Sequence, residues 1–179
     1  MFKKAEHSQV TISELMLPSH SNFSGKIHGG YILNLMDQIA FACASKHSRH
    51  YCVTASVNKV DFLNPIEVGE IVTLKASVNY TGGSSMVVGV RVESENIQRG
   101  SVKHCNSSYF TMVAIGGDGK PQKVPGLILE DEESIRRFVR SIKRQEELKK
   151  RSDLFKKSEF KTDDYLHLLE NHNVQINFE

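Results

Sequence analysis

The sequence predicts an α+β domain in which an antiparallel sheet wraps around one long central helix, with a further helix added at the C-terminal end. Two observations predict this architecture. Segment 31–45 is apolar nearly all round at helical spacing, with a single polar edge. It is followed by segments in which apolar and polar residues alternate, as in half-buried strands. Because a helix that apolar must be covered on most sides, we expect the sheet to curl around it.

The strands follow from this alternation, taken in order along the chain. The segments predicted as strands are 11–17, 53–57, 72–80, 86–92 and 107–115. The alternation over 53–57 loses its phase near Lys59, where a β-bulge is expected. The third and fourth segments flank Gly82 and Gly83, which predicts a hairpin. The fifth follows the Arg99-Gly100 turn.

The composition changes after Pro125-Gly126. Acidic residues 130–133 lead into 134–151, where apolar residues share one face among many Arg and Lys, which predicts a surface helix. Acid at its start and base towards its end suit the helix dipole. We therefore predict one domain over 1–128 and a C-terminal helical extension over 129–179, the last part of which could dock or fray.

The bulk composition indicates a soluble globular protein. The chain has 179 residues, 39% apolar and 25% charged, a size and composition that suit a single domain with one core. No apolar run approaches the roughly 18 residues of a membrane span, so we predict a cytoplasmic protein without membrane insertion. Three cysteines without CxxC spacing argue against a disulfide framework.

The charged and metal-binding residue types suggest neither nucleic-acid binding nor a metal site. A net charge of +2 is too small to indicate a nucleic-acid partner by itself. The basic stretch 136–151 is interleaved with Glu146 and Glu147 and has no aromatic platform beyond Phe138, so a solvated helix face is expected. Of the eight histidines, His47 and His50 are three residues apart near a helix end, and His20 and His28 have no carboxylate partner at ligand spacing, so no metal is expected.

The open edges of the predicted sheet need cover, because an exposed edge strand is a template for pairing. Pairing edge to edge with a second copy would continue the sheet. A homodimer is therefore predicted from the edge argument alone.

The candidate site lies in segment 16–37, which reads MLPSHSNFSGKIHGGYILNLMD. A polar loop runs into His28-Gly29-Gly30 and then directly into the apolar helix. Glycines at a helix start let a ligand approach the backbone, whose free N–H groups can bind an oxygen that carries negative charge. The segment therefore predicts an oxyanion site.

Asp37 lies about two turns into this helix, and two interpretations compete for it. A carboxylate in apolar surroundings is costly unless it is paired or used. It could accept hydrogen bonds from Asn34 or a nearby loop, or point to solvent. Alternatively, it could act as a general base or nucleophile at an acyl carbon, while N–H groups of Gly29 or Gly30 hold the oxyanion.

A series of short motifs resembles a known family in both the order of the motifs and the spacing between them. The matching positions are Met16, Pro18, His20, Asn22, Gly25, His28-Gly29-Gly30, Met36-Asp37, Val53-Thr54-Ala55, Phe62-Leu63, Pro65, Val68-Gly69, Thr81-Gly82, Ser84-Ser85-Met86 and Asp118-Gly119-Lys120-Pro121. The series resembles the hotdog-fold acyl-CoA thioesterases, the YciA-like and brain-type cytosolic acyl-CoA hydrolases. It covers roughly residues 10–125.

The resemblance implies the hydrolysis of acyl-CoA to free coenzyme A and a carboxylic acid, with no separate cofactor. Asp37 falls on the family's catalytic carboxylate, and Asn22 on the asparagine supplied across the dimer interface. His28, Gly29 and Gly30 match the thioester-binding loop and helix start. The positions implied to lie near coenzyme A are Thr81, Gly82, Ser84, Ser85 and Lys120. Family members assemble as trimers of hotdog dimers, which implies a homohexamer, and residues 1–128 form the hotdog domain.

One segment departs from the family's pattern, and two other functions compete with hydrolysis. Residues 106–110 read Asn-Ser-Ser-Tyr-Phe where relatives are more apolar, which leaves the preferred acyl chain open. A non-catalytic acyl-CoA sensor would have no need of a carboxylate at Asp37. A hotdog dehydratase would need a catalytic histidine paired with the aspartate, and no histidine falls at that position of the motif.

Overall fold

The computed structural model describes residues 1–157, 161–169 and 172–177. The chain forms two compact units, Met1–Ile142 and Lys143–Glu179. The strands are β1 (Phe2–Lys4), β2 (Val10–Leu15), β3 (Tyr51–Val57), β4 (Ile71–Thr81), β5 (Ser85–Asn96), β6 (Ser101–Ile115) and β7 (Gly126–Ile128). The α-helices are α1 (Gly29–Ser48) and α2 (Glu132–Lys157), and short 3-10 helices span Ala5–Ser8, Pro18–His20 and Thr162–Leu169.

A five-stranded antiparallel sheet in the order β2-β4-β5-β6-β3 forms the body of the first unit. Helix α1 contacts all five strands. Its apolar side is fully buried through Ile32, Met36, Ile39, Ala40 and Cys43. The predicted architecture, a curled sheet around one central helix, is thereby confirmed. Strand β3 is an edge strand of the sheet.

The hairpin predicted at Gly82-Gly83 is confirmed, since β4 and β5 pair in register on either side of residues 82–84. The bulge was predicted in the wrong place. The register shift lies between Thr54 and Ser56 rather than near Lys59, and β3 ends at Val57. Beyond it Asn58 still donates from its backbone to Tyr109, while Leu63 bonds to Cys105, so the chain follows β6 as a loop.

Both main helices are longer than the sequence pattern indicated. Helix α1 begins at Gly29, where the His28 side chain caps it, and ends at Arg49, whose left-handed conformation closes the last turn. Helix α2 is capped reciprocally: Asp131 accepts from the Ser134 backbone at 2.7 Å, and Ser134 Oγ accepts from the Asp131 backbone at 3.2 Å. Alternation could not locate these ends, because caps depend on single hydrogen bonds.

Two features near the termini of the first unit were not predicted. Strands β1 and β7 form a separate parallel pair, and Lys3 Nζ donates to the backbone oxygen of His47 at 2.6 Å. Phe138, early in α2, packs its ring on Tyr80 with centroids 4.9 Å apart.

The second unit contains the remainder of α2 and the 3-10 helix Thr162–Leu169. Residues 158–160, 170–171 and 178–179 of the predicted extension lie outside the described residues, and the boundary at 128 stays a prediction. Over the described ranges, neither helix combines the length and the apolar character that a membrane crossing requires.

Candidate active site

Asp37 lies on the exposed edge of α1, between Asn34 and Gln38, because the apolar positions of the helix turn towards the sheet. The sequence placed this carboxylate among apolar neighbours, but in a single chain it is exposed. Its Oδ1 accepts a hydrogen bond of 2.6 Å from the hydroxyl of Thr54. Asn34 is also exposed, and no hydrogen bond joins it to Asp37 in the described chain. Thr54 therefore holds the carboxylate.

Thr54 was missed as a site residue by the sequence analysis. It lies on the edge strand β3, opposite Met112 of β6, and its hydroxyl also lies 3.5 Å from the Met112 sulfur. Alternation in 53–57 puts Thr54 on the same face as buried Cys52, and that face meets the helix. The apolar alternation gave the wrong face here, because it placed Val53 and Val57 towards the core, whereas both are exposed in the structure and Thr54 faces the helix.

An open depression surrounds this pair. It is lined by Asp37, Gln38 and Phe41 of α1 and by residues 51–54 of β3. Phe41 and Tyr51 meet edge to face with ring centroids 5.3 Å apart, and their exposed fractions are 36% and 62%. The carboxylate thus lies beside exposed aromatic surface at an unpaired sheet edge.

The helix start offers one of the two expected backbone donors. The Gly30 N–H donates to His28 Nδ1 at 3.0 Å, so the histidine cap occupies it in this conformation. Gly29 precedes it, and the first N–H groups of a helix have no intrahelical partner. A Cβ on Gly29 would lie 3.1 Å from the Phe62 ring, so the aromatic side chain approaches the backbone closely here. Gly29 is therefore the donor best available to an oxyanion.

Asn22 is held in the loop before α1 by five hydrogen bonds, one of which runs from the Gly25 N–H to the Asn22 backbone oxygen at 3.0 Å. Its side-chain oxygen accepts from the backbone N–H groups of Ser24 and Lys26 at 3.0 and 3.2 Å and from the Ser24 hydroxyl at 2.7 Å. Its backbone N–H donates to the Lys26 oxygen at 2.7 Å. With the amide oxygen so engaged, the amide NH₂ is the group left to donate. Within the described chain no hydrogen bond joins Asn22 to Asp37.

The segments assigned to coenzyme A come together at one end of the sheet. The Ala114 N–H donates to the Ser84 oxygen at 2.9 Å, and the Val124 N–H donates to the Gly83 oxygen at 3.0 Å. Lys120 lies between these two points in an exposed turn, where its backbone N–H donates to Asp118. The structure therefore places the predicted turn 81–85 beside the segment that carries Lys120.

This turn also lies in register with the carboxylate. Thr54 is opposite Met112, Met112 is opposite Met86, and Met86 is opposite Thr81. Three strand spacings separate Thr54 from Thr81, a distance of about 14 Å. One row across the sheet thus joins the carboxylate pair to the turn.

An antiparallel sheet curled around a central helix is the hotdog fold, and here the helix also carries a carboxylate that faces an edge strand. Comparisons with known proteins agree. Residues 24–101 match the model of the thioesterase superfamily. The protein VdlD of Helicobacter pylori is 41% identical over 79% of this chain and 81% of its own length.

Two solved structures extend the comparison. A hexameric acyl-CoA thioesterase is 38% identical, covers 84% of this chain and 97% of its own, and superposes with a TM-score of 0.82. An acyl-CoA hydrolase from Staphylococcus aureus, solved with butyryl coenzyme A and coenzyme A, is 32% identical over 93% of this chain and 99% of its own, with a TM-score of 0.80. That enzyme was also solved with an aspartate, an asparagine or a threonine replaced by alanine.

The chain belongs to the thioesterase superfamily and, within it, to the hotdog-fold acyl-CoA thioester hydrolases. The predicted family, fold and enzyme class are confirmed. The assignment of particular site residues stays a prediction.

Proposed function

We propose that this acyl-CoA thioesterase hydrolyses its substrate at a site shared between two copies of the chain, with Asp37 from one copy and Asn22 from the other. The observation that carries the proposal is the hydrogen-bonded pair of Asp37 and Thr54 at the open edge of the sheet. A carboxylate that is held in place, yet exposed at an unpaired sheet edge, suits an active site that a partner subunit completes.

The three positions replaced in the Staphylococcus aureus enzyme support this choice. Its asparagine and aspartate are fifteen residues apart, as are Asn22 and Asp37. Its aspartate and threonine are seventeen apart, as are Asp37 and Thr54. The same three residue types at the same spacing occupy the carboxylate pair and the loop described above.

In the general-base route, Asp37 removes a proton from water as the water oxygen attacks the acyl carbon. The thioester oxygen becomes negative in the tetrahedral intermediate, where the Gly29 N–H stabilises it. The C–S bond then breaks, and the proton held by Asp37 passes to the departing coenzyme A thiolate. The products are free coenzyme A and a carboxylic acid.

In the nucleophilic route, Asp37 attacks the acyl carbon itself and coenzyme A leaves as the thiolate; water then hydrolyses the resulting anhydride, which restores the Asp37 carboxylate, releases the acid and supplies the proton that neutralises the thiolate. The Thr54 hydroxyl orients the carboxylate in either route, and the NH₂ group of Asn22 of the partner subunit would donate to the thioester or the water. A single turnover in ¹⁸O-labelled water tests for the nucleophilic route, because label in the Asp37 carboxylate can arise only from hydrolysis of an anhydride at the Asp37 carbonyl, whereas the general-base route labels only the product acid.

Assembly is proposed as a dimer through β3, repeated as a trimer of dimers. Exposed apolar side chains surround both halves of the proposed shared site: Phe23 next to Asn22, and Phe41, Tyr51 and Val53 around Asp37. Pairing β3 with its copy would cover the second group and satisfy the open edge. The hexameric relative supports the higher assembly.

Coenzyme A is proposed to lie along turn 81–85, with Lys120 near the nucleotide. The support is the packing of this turn against the segment that carries Lys120, about 14 Å from Thr54 across the sheet, a distance that an extended ligand can span. A cytoplasmic location is proposed on the three free and buried cysteines, as expected in a reducing compartment.

The first experiment measures thiol release from short, medium and long acyl-CoAs by the wild type, Asp37→Ala and Asn22→Ala. Asn34→Ala, on the same exposed helix edge, is the matched control. The Asp37 variant is expected to lose about 10²- to 10⁴-fold in kcat, the range for general acid–base groups. If the folded wild type binds acyl-CoA but releases no thiol, the protein is a non-catalytic acyl-CoA sensor rather than an enzyme.

Co-expression of the two inactive variants tests whether the site is shared. In a mixed dimer one site has both substitutions and the other has neither, so random pairing restores about a quarter of the wild-type sites. If Asn22 and Asp37 act within one chain, no mixed dimer contains an intact site and activity stays at the level of the single variants.

A further inference from the structure

The loop that carries Asn22 is attached at both ends to one short turn, residues 66–70. At the start of the loop, the Met16 N–H donates to the Glu70 oxygen and the Gly69 N–H donates to the Met16 oxygen, at 2.9 and 2.8 Å. At its end, the Ile27 N–H donates to the Ile66 oxygen at 2.9 Å. The position of the loop therefore depends on the position of this turn.

A chain of contacts also runs from the turn to Asn22 itself. Lys26 pairs with Glu67 as a backbone bridge, and its ammonium lies 2.5 Å from the Glu67 carboxylate. The backbone of Lys26 holds Asn22 from both sides, since its N–H donates to the Asn22 side chain and its oxygen accepts from the Asn22 N–H.

The turn is fixed to the sheet by Glu70, a carboxylate with only 4% of its surface exposed. Its Oε1 accepts from Lys103 Nζ of β6 at 2.8 Å. Its Oε2 accepts from Ser94 Oγ of β5 at 2.6 Å and from the Glu67 N–H at 3.0 Å. Both oxygens are thus satisfied, as a buried carboxylate requires.

Burial works against the charged form of Glu70, but the hydrogen bonds from Lys103, Ser94 and the Glu67 backbone outweigh it, so the pKa of Glu70 lies below its ordinary value. The carboxylate remains charged at neutral pH, and the contact to Glu67 persists under assay conditions.

We propose that Glu70 is a positioning residue for catalysis, which acts through Glu67 and Lys26 to hold Asn22 where the site of the partner subunit needs it. The inference rests on the proposed role of Asn22. Displacement of a reacting or orienting group by about 1 Å costs on the order of 10²-fold in rate, so a small shift of the turn reaches the chemistry.

The test compares Glu70→Gln with Glu93→Gln in the wild-type and Asn22→Ala backgrounds. Glu93 is a matched control, because both of its carboxylate oxygens are likewise engaged, here by Lys75 and Arg91, and no hydrogen bond among the described residues links it to the turn. Glu70→Gln is expected to lower kcat about 10- to 100-fold in the wild type and by less than twofold when Asn22 is already alanine. Glu93→Gln is expected to change neither.

A second pair of variants avoids the buried carboxylate, in case Glu70→Gln fails to fold. Lys26→Met and Glu67→Gln break an ion pair whose side chains are 44% and 40% exposed, so the fold should tolerate them. Each is expected to lower kcat about tenfold, again only when Asn22 is present.

The outcomes separate the two ideas. If Asn22→Ala itself retains full activity, the proposed function fails at that residue. If Asn22→Ala is impaired but the Glu70, Glu67 and Lys26 variants lower kcat by the same factor in both backgrounds, or not at all, the positioning role is overturned and the proposed function stands.

Discussion

Replacement of Thr54 by valine removes the hydrogen bond that holds Asp37, the carboxylate that we propose is catalytic. Valine keeps the branched shape and suits an edge strand, while it removes the hydroxyl that donates to Asp37 at 2.6 Å. The backbone pairing of Thr54 with Met112 is unaffected, because it does not involve the side chain.

The size of the effect follows from the charge on the acceptor. A hydrogen bond to a charged group contributes about 1.5–3 kcal/mol, and each 1.36 kcal/mol corresponds to about tenfold in rate. If the bond is needed to orient Asp37 in the transition state, kcat should fall about 10- to 150-fold. KM should change little, because turn 81–85, where we propose that coenzyme A binds, lies about 14 Å away.

Steady-state thiol release with a chromogenic disulfide is the assay, with Thr54→Ser as the control that retains the hydroxyl. The enzyme's own thiols should not interfere, since Cys43, Cys52 and Cys105 are all buried. Burial also raises the pKa of the Cys43 thiol to about 12, which keeps it protonated and unreactive in the native protein.

The reasoning would be refuted by a folded Thr54→Val enzyme with kcat within twofold of the wild type, in a preparation where Asp37→Ala is inactive. Equal losses in the valine and serine variants would also refute it, because the hydroxyl would then not be the group that acts.

Three further predictions concern assembly and stability. Phe41→Glu and Val53→Lys place charge at the open edge and should yield inactive monomers by light scattering, whereas an active monomer would contradict a shared site. Asn106→Leu removes two buried amide atoms without partners in the described chain and should raise the free energy of unfolding by about 1–2 kcal/mol; a lower urea midpoint would argue against this. Because the pKa of Glu70 is depressed in the folded state, its contribution to stability is present above the unfolded value of 4.5 and is lost as pH falls through the folded pKa. Glu70→Gln should therefore reduce the loss of unfolding free energy at acidic pH, as measured by urea titrations. An unchanged slope of unfolding free energy against pH would count against this prediction.

The periodicity of the sequence was enough to predict the fold, because the burial of one face of a helix or strand directly produces the spacing of its apolar residues. The apolar stretch 31–45 could form only a covered helix, and the alternation on either side of Gly82-Gly83 specified a hairpin, although not the register shift between Val78 and Tyr80. The position of Asp37 within the helix and the glycines at its start left its role open, and the resemblance of the whole motif series to the hotdog acyl-CoA thioesterases predicted the kind of chemistry.

The partner of Asp37 was decided by tertiary structure. Thr54 lies seventeen residues away on another element, and only the packing of α1 against the edge strand brings the two side chains together. The same packing leaves Asp37 exposed, where the sequence pattern suggested apolar surroundings, because the helix turns its polar edge towards the open side of β3.

The anchorage of the Asn22 loop is also a property of tertiary structure alone. Asn22 stood out in the sequence through its motif, but Lys26, Glu67, Glu70 and Lys103, which anchor it, are ordinary polar residues without a motif that joins them to it. Their connection depends on hydrogen bonds between residues distant in the chain, whose geometry periodicity does not encode. The sequence therefore determined the helix, the strands and the type of reaction, whereas folding decided which side chains hold the reacting groups.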